Sequence, residues 1–164
     1  MLKIVKHMGQ LSFSALMEVY EESNRKTARE EWPTLPEWAG IQNAEQDFHQ
    51  YLREVFFKIP DAVYVMGMTD NRYVSALRLE PYRDGLLIEA LETAPDHRRK
   101  GYGRMLLLDV ITAFPGKKLY SHVDKRNEAS LSLHKSCGFE KTEDFAVYID
   151  GSVNYRGYTL VRNP

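Results

Sequence analysis

Leu86-Leu87-Ile88-Glu89-Ala90-Leu91-Glu92-Thr93, Ala94-Pro95-Asp96-His97, Arg98-Arg99-Lys100-Gly101-Tyr102-Gly103 and Arg104-Met105-Leu106-Leu107-Leu108 follow one another in this chain. The first run is β-rich, the last opens an apolar helix, and a basic glycine turn lies between them. Together they form a physical device for binding phosphate. The unpaired amides at the start of a helix point outward, and the helix dipole favours anions there. Glycine lets the backbone approach a ligand without a Cβ clash. Arg98, Arg99 and Lys100 add positive charge. Other phosphate loops fit less well. A Walker loop needs Gly-Lys-Ser/Thr after a glycine and four residues, and that string is absent. A dinucleotide fingerprint needs three glycines, and only Gly101 and Gly103 are present.

Outward from this stretch the chain reads as alternating strands and helices. Leu2 to Val5 is a short strand, and Ser12 to Glu22 has helical spacing through Phe13, Leu16, Met17 and Tyr20. Residues 25–40 are polar and carry Pro33 and Pro36, which predicts a loop or a broken helix. Ala44 to Phe57 returns to helical spacing. Ala62 to Met68 and Tyr73 to Leu79 are strands joined by the hairpin turn Thr69-Asp70-Asn71-Arg72. Arg104 to Phe114 is a helix, Lys118 to Val123 a strand, and Glu128 to Cys137 a helix closed by Gly138. Phe139 to Ile149 and Tyr155 to Arg162 read as a final hairpin around Asp150-Gly151. This is a mixed sheet with helices packed on it.

The bulk numbers bound the setting. A length of 164 residues favours one domain, residues 1–164, with an adequate core. A formal net charge of -1 supplies no bulk attraction to nucleic acid. The single Cys137 cannot close an internal disulfide, which favours a reducing compartment. No run is apolar enough to span a membrane. The expected setting is the cytoplasm, without membrane or nucleic-acid partners and without a metal.

Two motifs carry a resemblance. Arg98, Gly101 and Gly103 fit the pattern R/Q-x-x-G-x-G/A after a strand, with Pro95 just upstream. Asn127 then stands after the next strand, and Glu128 to Cys137 leads into Gly138-Phe139. In order and spacing these resemble the GNAT acyltransferase superfamily, most clearly over residues 62–148. The resemblance implies an α/β fold of α+β type. Its central sheet is mixed and mostly antiparallel, with about six or seven strands, splayed in the middle and flanked by about four helices. It implies acetyl-CoA as co-substrate and a small-molecule or peptide amine as acceptor. It allows a homodimer.

The resemblance also assigns roles. The amides of Arg99, Lys100, Gly101, Tyr102, Gly103 and Arg104 hold the pyrophosphate, with Arg98 beside them. Leu91, Glu92 and Thr93 pair with the pantetheine arm, and a backbone N–H near Leu91 or Glu92 stabilises the oxyanion. Asn127 contacts the cofactor or fixes the splay, and Ser130 joins the cofactor set. Glu89 is the expected general base, with His122 a further candidate on the next strand. By strict alternation Glu89 shares a face with Leu91 and Thr93, whereas Glu92 points the other way; a bulge would reverse this. The family usually has tyrosine where this chain has His134, the position of the acid for the departing thiolate. His134 can donate a proton, and Tyr120, Tyr148 and Tyr158 are alternatives. Cys137 has no paired base and reads as core rather than as a nucleophile.

Acceptor choice is expected in the N-terminal third and the final hairpin. Glu18, Glu21, Glu22, Glu30, Glu31 and Glu37, with Trp32 and Trp38, suit a cationic amine there. The main reading is an acyl-CoA-dependent N-acetyltransferase. The alternative is an acyl-CoA-binding module without turnover, motivated by the missing tyrosine.

Overall fold

A computed structural model describes residues 1–164. The elements in chain order are β1 (Leu2–Val5), α1 (Phe13–Val19), α2 (Glu21–Glu31), α3 (Glu37–Glu54), β2 (Val63–Thr69), β3 (Arg72–Tyr82) and β4 (Gly85–Thr93). There follow α4 (Tyr102–Ala113), β5 (Lys118–Asp124), α5 (Glu128–Ser136), β6 (Glu140–Glu143), β7 (Ala146–Val147), β8 (Val153–Asn154) and β9 (Gly157–Arg162). Seven strands form one sheet in the order β1-β2-β3-β4-β5-β9-β6, and β7 with β8 makes a separate ribbon. Only the β4–β5 pair is parallel. That parallel pair requires a crossover, which α4 supplies.

Each sheet face is covered. Helices α1 to α3 bury Leu16, Tyr20 and Leu52 with Phe56, Tyr64 and Met66. On the other face Leu106, Leu107 and Val110 of α4 pack on Leu77, Leu79 and Phe139. Leu107 is fully buried, so truncation to alanine there costs about 2–5 kcal/mol of stability. No helix is long and apolar enough to cross a membrane.

The strand reading holds up to β5, including the hairpin at residues 69–72, where Asp70 and Asn71 both take positive φ. Two expectations change. Of the loop or broken helix expected over residues 25–40 the structure has the broken helix: α2 ends at Glu31, the break covers residues 32–36 and α3 resumes at Glu37, so five helices stand where about four were expected. Ion pairs Glu21–Arg25 (2.9 Å) and Lys26–Glu30 (3.8 Å) run along this helix. Its backbone also comes close to α3: a Cβ on Gly40 would lie 2.9 Å from that of Ala28. A helix can be polar on most of its surface when one small residue makes the packing contact. The final hairpin also divides. β6 pairs with β9, while β7 and β8 pair only with each other.

Candidate active site

The phosphate loop is a helix entry shaped by glycine. Gly101 caps α4 with φ +85°, a left-handed conformation that suits glycine, and Arg99 also has positive φ at +60°. Gly103 has a different task. A Cβ there would stand 3.3 Å from Thr93 Oγ1 and 3.5 Å from Leu133 Cδ1, so its absence lets α4 seat against β4 and α5. The first-turn amides of α4 have no partner in the helix ladder and face a ligand-sized opening.

That opening is a cleft of about 1040 Å³. Arg98, Arg99, Gly101, Tyr102, Gly103 and Arg104 line one wall. Leu91, Glu92 and Thr93 line the strand edge, and Asn127 and Ser130 the entry of α5. Lys100 alone of the predicted cofactor set does not line it. Its Nζ donates to the Asp96 carbonyl at 2.8 Å, which turns the side chain back onto the loop. Arg98 donates from Nε to the Thr93 carbonyl (3.2 Å) and pairs with Glu22 of α2. Asn127 caps α5, its Oδ1 accepting from the Ser130 amide at 3.1 Å. A glycine-lined helix start beside a long strand edge fits the pyrophosphate and pantetheine of coenzyme A.

The sheet opens beside this cleft. β4 and β5 pair from Gly85↔Lys118 to Ile88↔Ser121, and no further. β4 also bulges. Arg78 pairs with Glu89 and Ala76 with Glu92, so Ala90 and Leu91 together oppose Leu77. Ala90 takes φ +50°. Its carbonyl accepts from the Tyr20 hydroxyl at 2.6 Å, and Tyr20 in turn accepts from the Tyr64 hydroxyl at 2.8 Å. The bulge corrects the alternation argument. Directly paired residues share a face, and Ala76 and Arg78 are two apart on one strand. Glu89 and Glu92 therefore lie on the same face. Thr93, paired with Ser75, lies on the other. Leu91, the extra residue, has no strand partner in register.

Glu89 borders a cavity of about 300 Å³ between the parting strands, with Arg78, His122, Asn127, His134 and Tyr148. The cavity and the cleft share Leu91, Asn127 and Ser130, so cofactor site and cavity adjoin. Arg78 Nη2 stands 3.7 Å from Glu89 Oε2, and its guanidinium lies over the rings of Tyr51 (5.0 Å) and Phe56 (5.7 Å). Glu80, 4% exposed, lies on the same face and contacts Glu89. Burial, a hydrogen bond to Glu89 and that neighbour's charge push the Glu80 carboxyl up to about 8, against the pull of Arg78. His122 is lowered by burial, which outweighs the Glu89 charge, and its Nε2 has no partner.

His134 is 1% exposed rather than on the surface. Its Nδ1 lies 2.8 Å from the Ser130 carbonyl, which can only accept, so Nδ1 carries the proton. Burial holds the ring's pKa below its ordinary value despite that bond. The neutral ring then has a lone pair at Nε2, which has no protein partner. In this tautomer His134 accepts a proton or hydrogen bond and does not donate one, against its expected role as an acid.

Among the tyrosines, Tyr148 alone lines the cavity. Its hydroxyl accepts from Asn154 Nδ2 at 2.7 Å, leaving its own proton free to donate. Tyr82 anchors this ribbon by donating to the Val147 carbonyl. Tyr120 is buried and bonded to Asp84, and Tyr158 lies beneath the ammonium groups of Lys125 (5.0 Å) and Lys141 (4.8 Å). The N-terminal carboxylates do not line the cavity. Glu18 pairs with Arg72, Glu21 with Arg25 and Glu37 with Arg29. Arg78, Glu80 and Tyr20 are contributors that the sequence reading missed. A signal existed for the first two: Arg78 and Glu80 alternate with Leu77 and Leu79, two charges within the otherwise apolar run Ala76–Tyr82.

The model of the acetyltransferase (GNAT) family matches residues 14–139, and the chain belongs to that family. It is accordingly an acyltransferase, and acetyl-CoA is the acyl donor of its family. Among solved structures it is similar to an acetyltransferase from Thermus thermophilus, with a TM-score of 0.67 and 18% identity over 99% of this chain and 97% of that one. It is also similar to PaiA N-acetyltransferase from Thermoplasma acidophilum, solved with coenzyme A, with a TM-score of 0.64 and 14% identity over 100% and 99% of the two chains. A third similar structure is the ribosomal-protein-S18-alanine N-acetyltransferase of Escherichia coli, with a TM-score of 0.59 and 18% identity over 99% and 94%. These likenesses show the shared fold. No curated protein sequence matches.

Proposed function

We propose that residues 1–164 act as one domain that moves an acetyl group from acetyl-CoA to a primary amine by direct attack in a ternary complex. The observation that carries this reading is the position of Glu89, in a cavity that adjoins the cofactor cleft through Leu91, Asn127 and Ser130. The amides of residues 99–104 and the Arg98 guanidinium hold the pyrophosphate. Leu91, Glu92 and Thr93 align the pantetheine arm, with Asn127 and Ser130 at its far side. The bound donor supplies a thioester carbonyl open to attack and a thiolate leaving group.

Glu89 takes a proton from the ammonium form of the acceptor, directly or through water. A backbone N–H at the bulge, of Leu91 or Glu92, stabilises the oxyanion. Tyr148 donates the proton that the departing sulfur needs, and His134 Nε2 accepts a hydrogen bond at the junction of cleft and cavity. One observation favours a second reading, an acyl-CoA-binding module without turnover: the residue in place of the usual tyrosine has no proton to donate at its unpartnered nitrogen.

Thiol release from acetyl-CoA across a panel of amines tests both. The panel includes small amines, amino acids, aminoglycoside-like sugars and peptide N-termini, the last because one similar structure is a ribosomal-protein-alanine N-acetyltransferase. Acetyl-CoA binding with amine-dependent thiol release is the expected result. Binding without release from any amine would establish the module instead.

A further inference from the structure

We propose that Glu80 is a positioning residue for acetyl transfer: buried beside Glu89, it shares one proton with that carboxylate, so the two work as a single, stronger base. The proposal rests on the reading of Glu89 as the base and says what makes it one.

The geometry begins with the strand register. Glu80 pairs with Leu87 and Arg78 with Glu89, which puts Arg78, Glu80 and Glu89 on one face of the β3–β4 pair. Glu80 is nearly inaccessible, and the Glu89 and Arg78 side chains are only 27% and 16% exposed. This half-buried group therefore contains two carboxyls and one guanidinium. Arg78 is fixed over Tyr51 and Phe56 and stands near Glu89. Asp124, His134 and Tyr148 line the same cavity as Glu89, and the further groups whose charges act on the pair are the Tyr51 hydroxyl from α3 and the His122 imidazole from β5. Burial raises the Tyr51 hydroxyl and lowers the imidazole, so both are uncharged at neutral pH. One cation cannot compensate two carboxylates in low dielectric, and one proton stays with the pair. The raised titration of Glu80, to about 8, agrees with that arrangement.

The consequence is base strength. A lone glutamate, with an ordinary pKa of about 4.3, is a poor acceptor for an ammonium proton. A base whose conjugate acid titrates near the working pH is far better. The doubly ionised Glu80–Glu89 pair is such a base. A cationic acceptor entering the cavity stabilises that form and expels the resident proton. The ammonium N–H bond then breaks, its proton moves to the pair, and the neutral amine keeps the electron pair with which it attacks the thioester. After product release the pair returns the proton to solvent.

The test is a carbon-13 NMR titration of the whole chain labelled at glutamate carboxyls. In the wild type we expect one carboxyl to titrate near 8. It should vanish in Glu80→Gln and fall by about two units or more in Glu89→Gln. Glutamates that all titrate in the ordinary range would overturn the proposal, as would a Glu80 step unmoved in Glu89→Gln. The pH profile of kcat/KM, with the best amine of the panel, gives the functional arm. Glu80→Gln should move the rising limb toward acid and lower the rate at pH 8 by about tenfold. A Glu80→Gln profile superimposable on the wild type, with Glu89→Gln strongly impaired, overturns the shared proton and leaves Glu89 as base. Full activity in Glu89→Gln removes the base itself.

Discussion

The cleft at the phosphate loop and the cavity at Glu89 adjoin at Leu91, Asn127 and Ser130, yet they are made of different materials. The phosphate-loop wall of the cleft is largely backbone: a helix start, two glycines and a strand edge from one continuous stretch, with α2 and α5 facing it. The cavity is side chains: Arg78 from β3, Glu89 from β4, His122 from β5, His134 from α5 and Tyr148 beyond β7, with Glu80 buried behind Glu89. A backbone site tolerates most side-chain replacements and fails when its path is obstructed. A side-chain site keeps its shape under isosteric replacement and fails when a charge or proton is removed. The two regions should therefore respond to different mutations.

The sharpest separation comes from Glu89→Gln. It removes the proposed base and keeps the volume, so kcat should fall by about 10²- to 10⁴-fold while calorimetry with acetyl-CoA gives an unchanged affinity. A loss of cofactor affinity of the same size would erase the distinction. The converse variant is Gly103→Val. Its branched side chain would meet Thr93 and Leu133, since even a Cβ lies 3.3 Å from Thr93 Oγ1. Acetyl-CoA affinity should drop about tenfold, corresponding to ~1.4 kcal/mol, with little change in the pH profile. A moved pH profile would mean that the loop reaches into the acceptor chemistry.

The smallest effect on function should come from the seam. Tyr20→Phe removes the hydroxyl, at the junction of α1 and α2, that donates to the bulge carbonyl of Ala90 and accepts from the Tyr64 hydroxyl. These two hydrogen bonds together contribute ~2 kcal/mol. We expect loss of stability by about that amount in denaturant unfolding, and a several-fold fall in kcat/KM. Wild-type stability in this variant would show that the bulge holds its shape without Tyr20.

The same contrast explains what the sequence disclosed. Gly101, Gly103 and the run from Asn127 to Phe139 are readable because each motif is local: strand, turn and helix entry follow in order. A mixed, splayed sheet came with the resemblance those motifs carry, but which two strands run parallel came only from the structure. Glu89 was found, but its face was assigned by alternation, and the extra residue at Ala90–Leu91 reversed it. The bulge carbonyl accepts a bond from Tyr20, which lies 70 residues away in sequence. Arg78 and Glu80 looked like ordinary strand charges until register brought them against Glu89. α2 stayed open between loop and broken helix because its residues are almost wholly polar and its packing depends on Ala28 meeting Gly40. His134 was found by position, but its proton was placed only by the Ser130 carbonyl, a contact within its own helix.

The insertion of β9 between β5 and β6 has a consequence for biosynthesis. β5 carries His122 and forms one wall of the cavity, and its outer edge pairs with β9 from Leu119↔Arg162 to Asp124↔Gly157. A chain emerging from the ribosome in order can pair β1 to β4 early, yet β5 keeps an open edge until residues 157–162 are out. Non-local pairing of this kind is slow, and unpaired strand edges invite association. The phosphate loop can thus form on the nascent chain before the cavity beside it is complete. A ribosome-stalled chain ending before Gly157 would offer an exposed edge to chaperones at the very strand the chemistry requires.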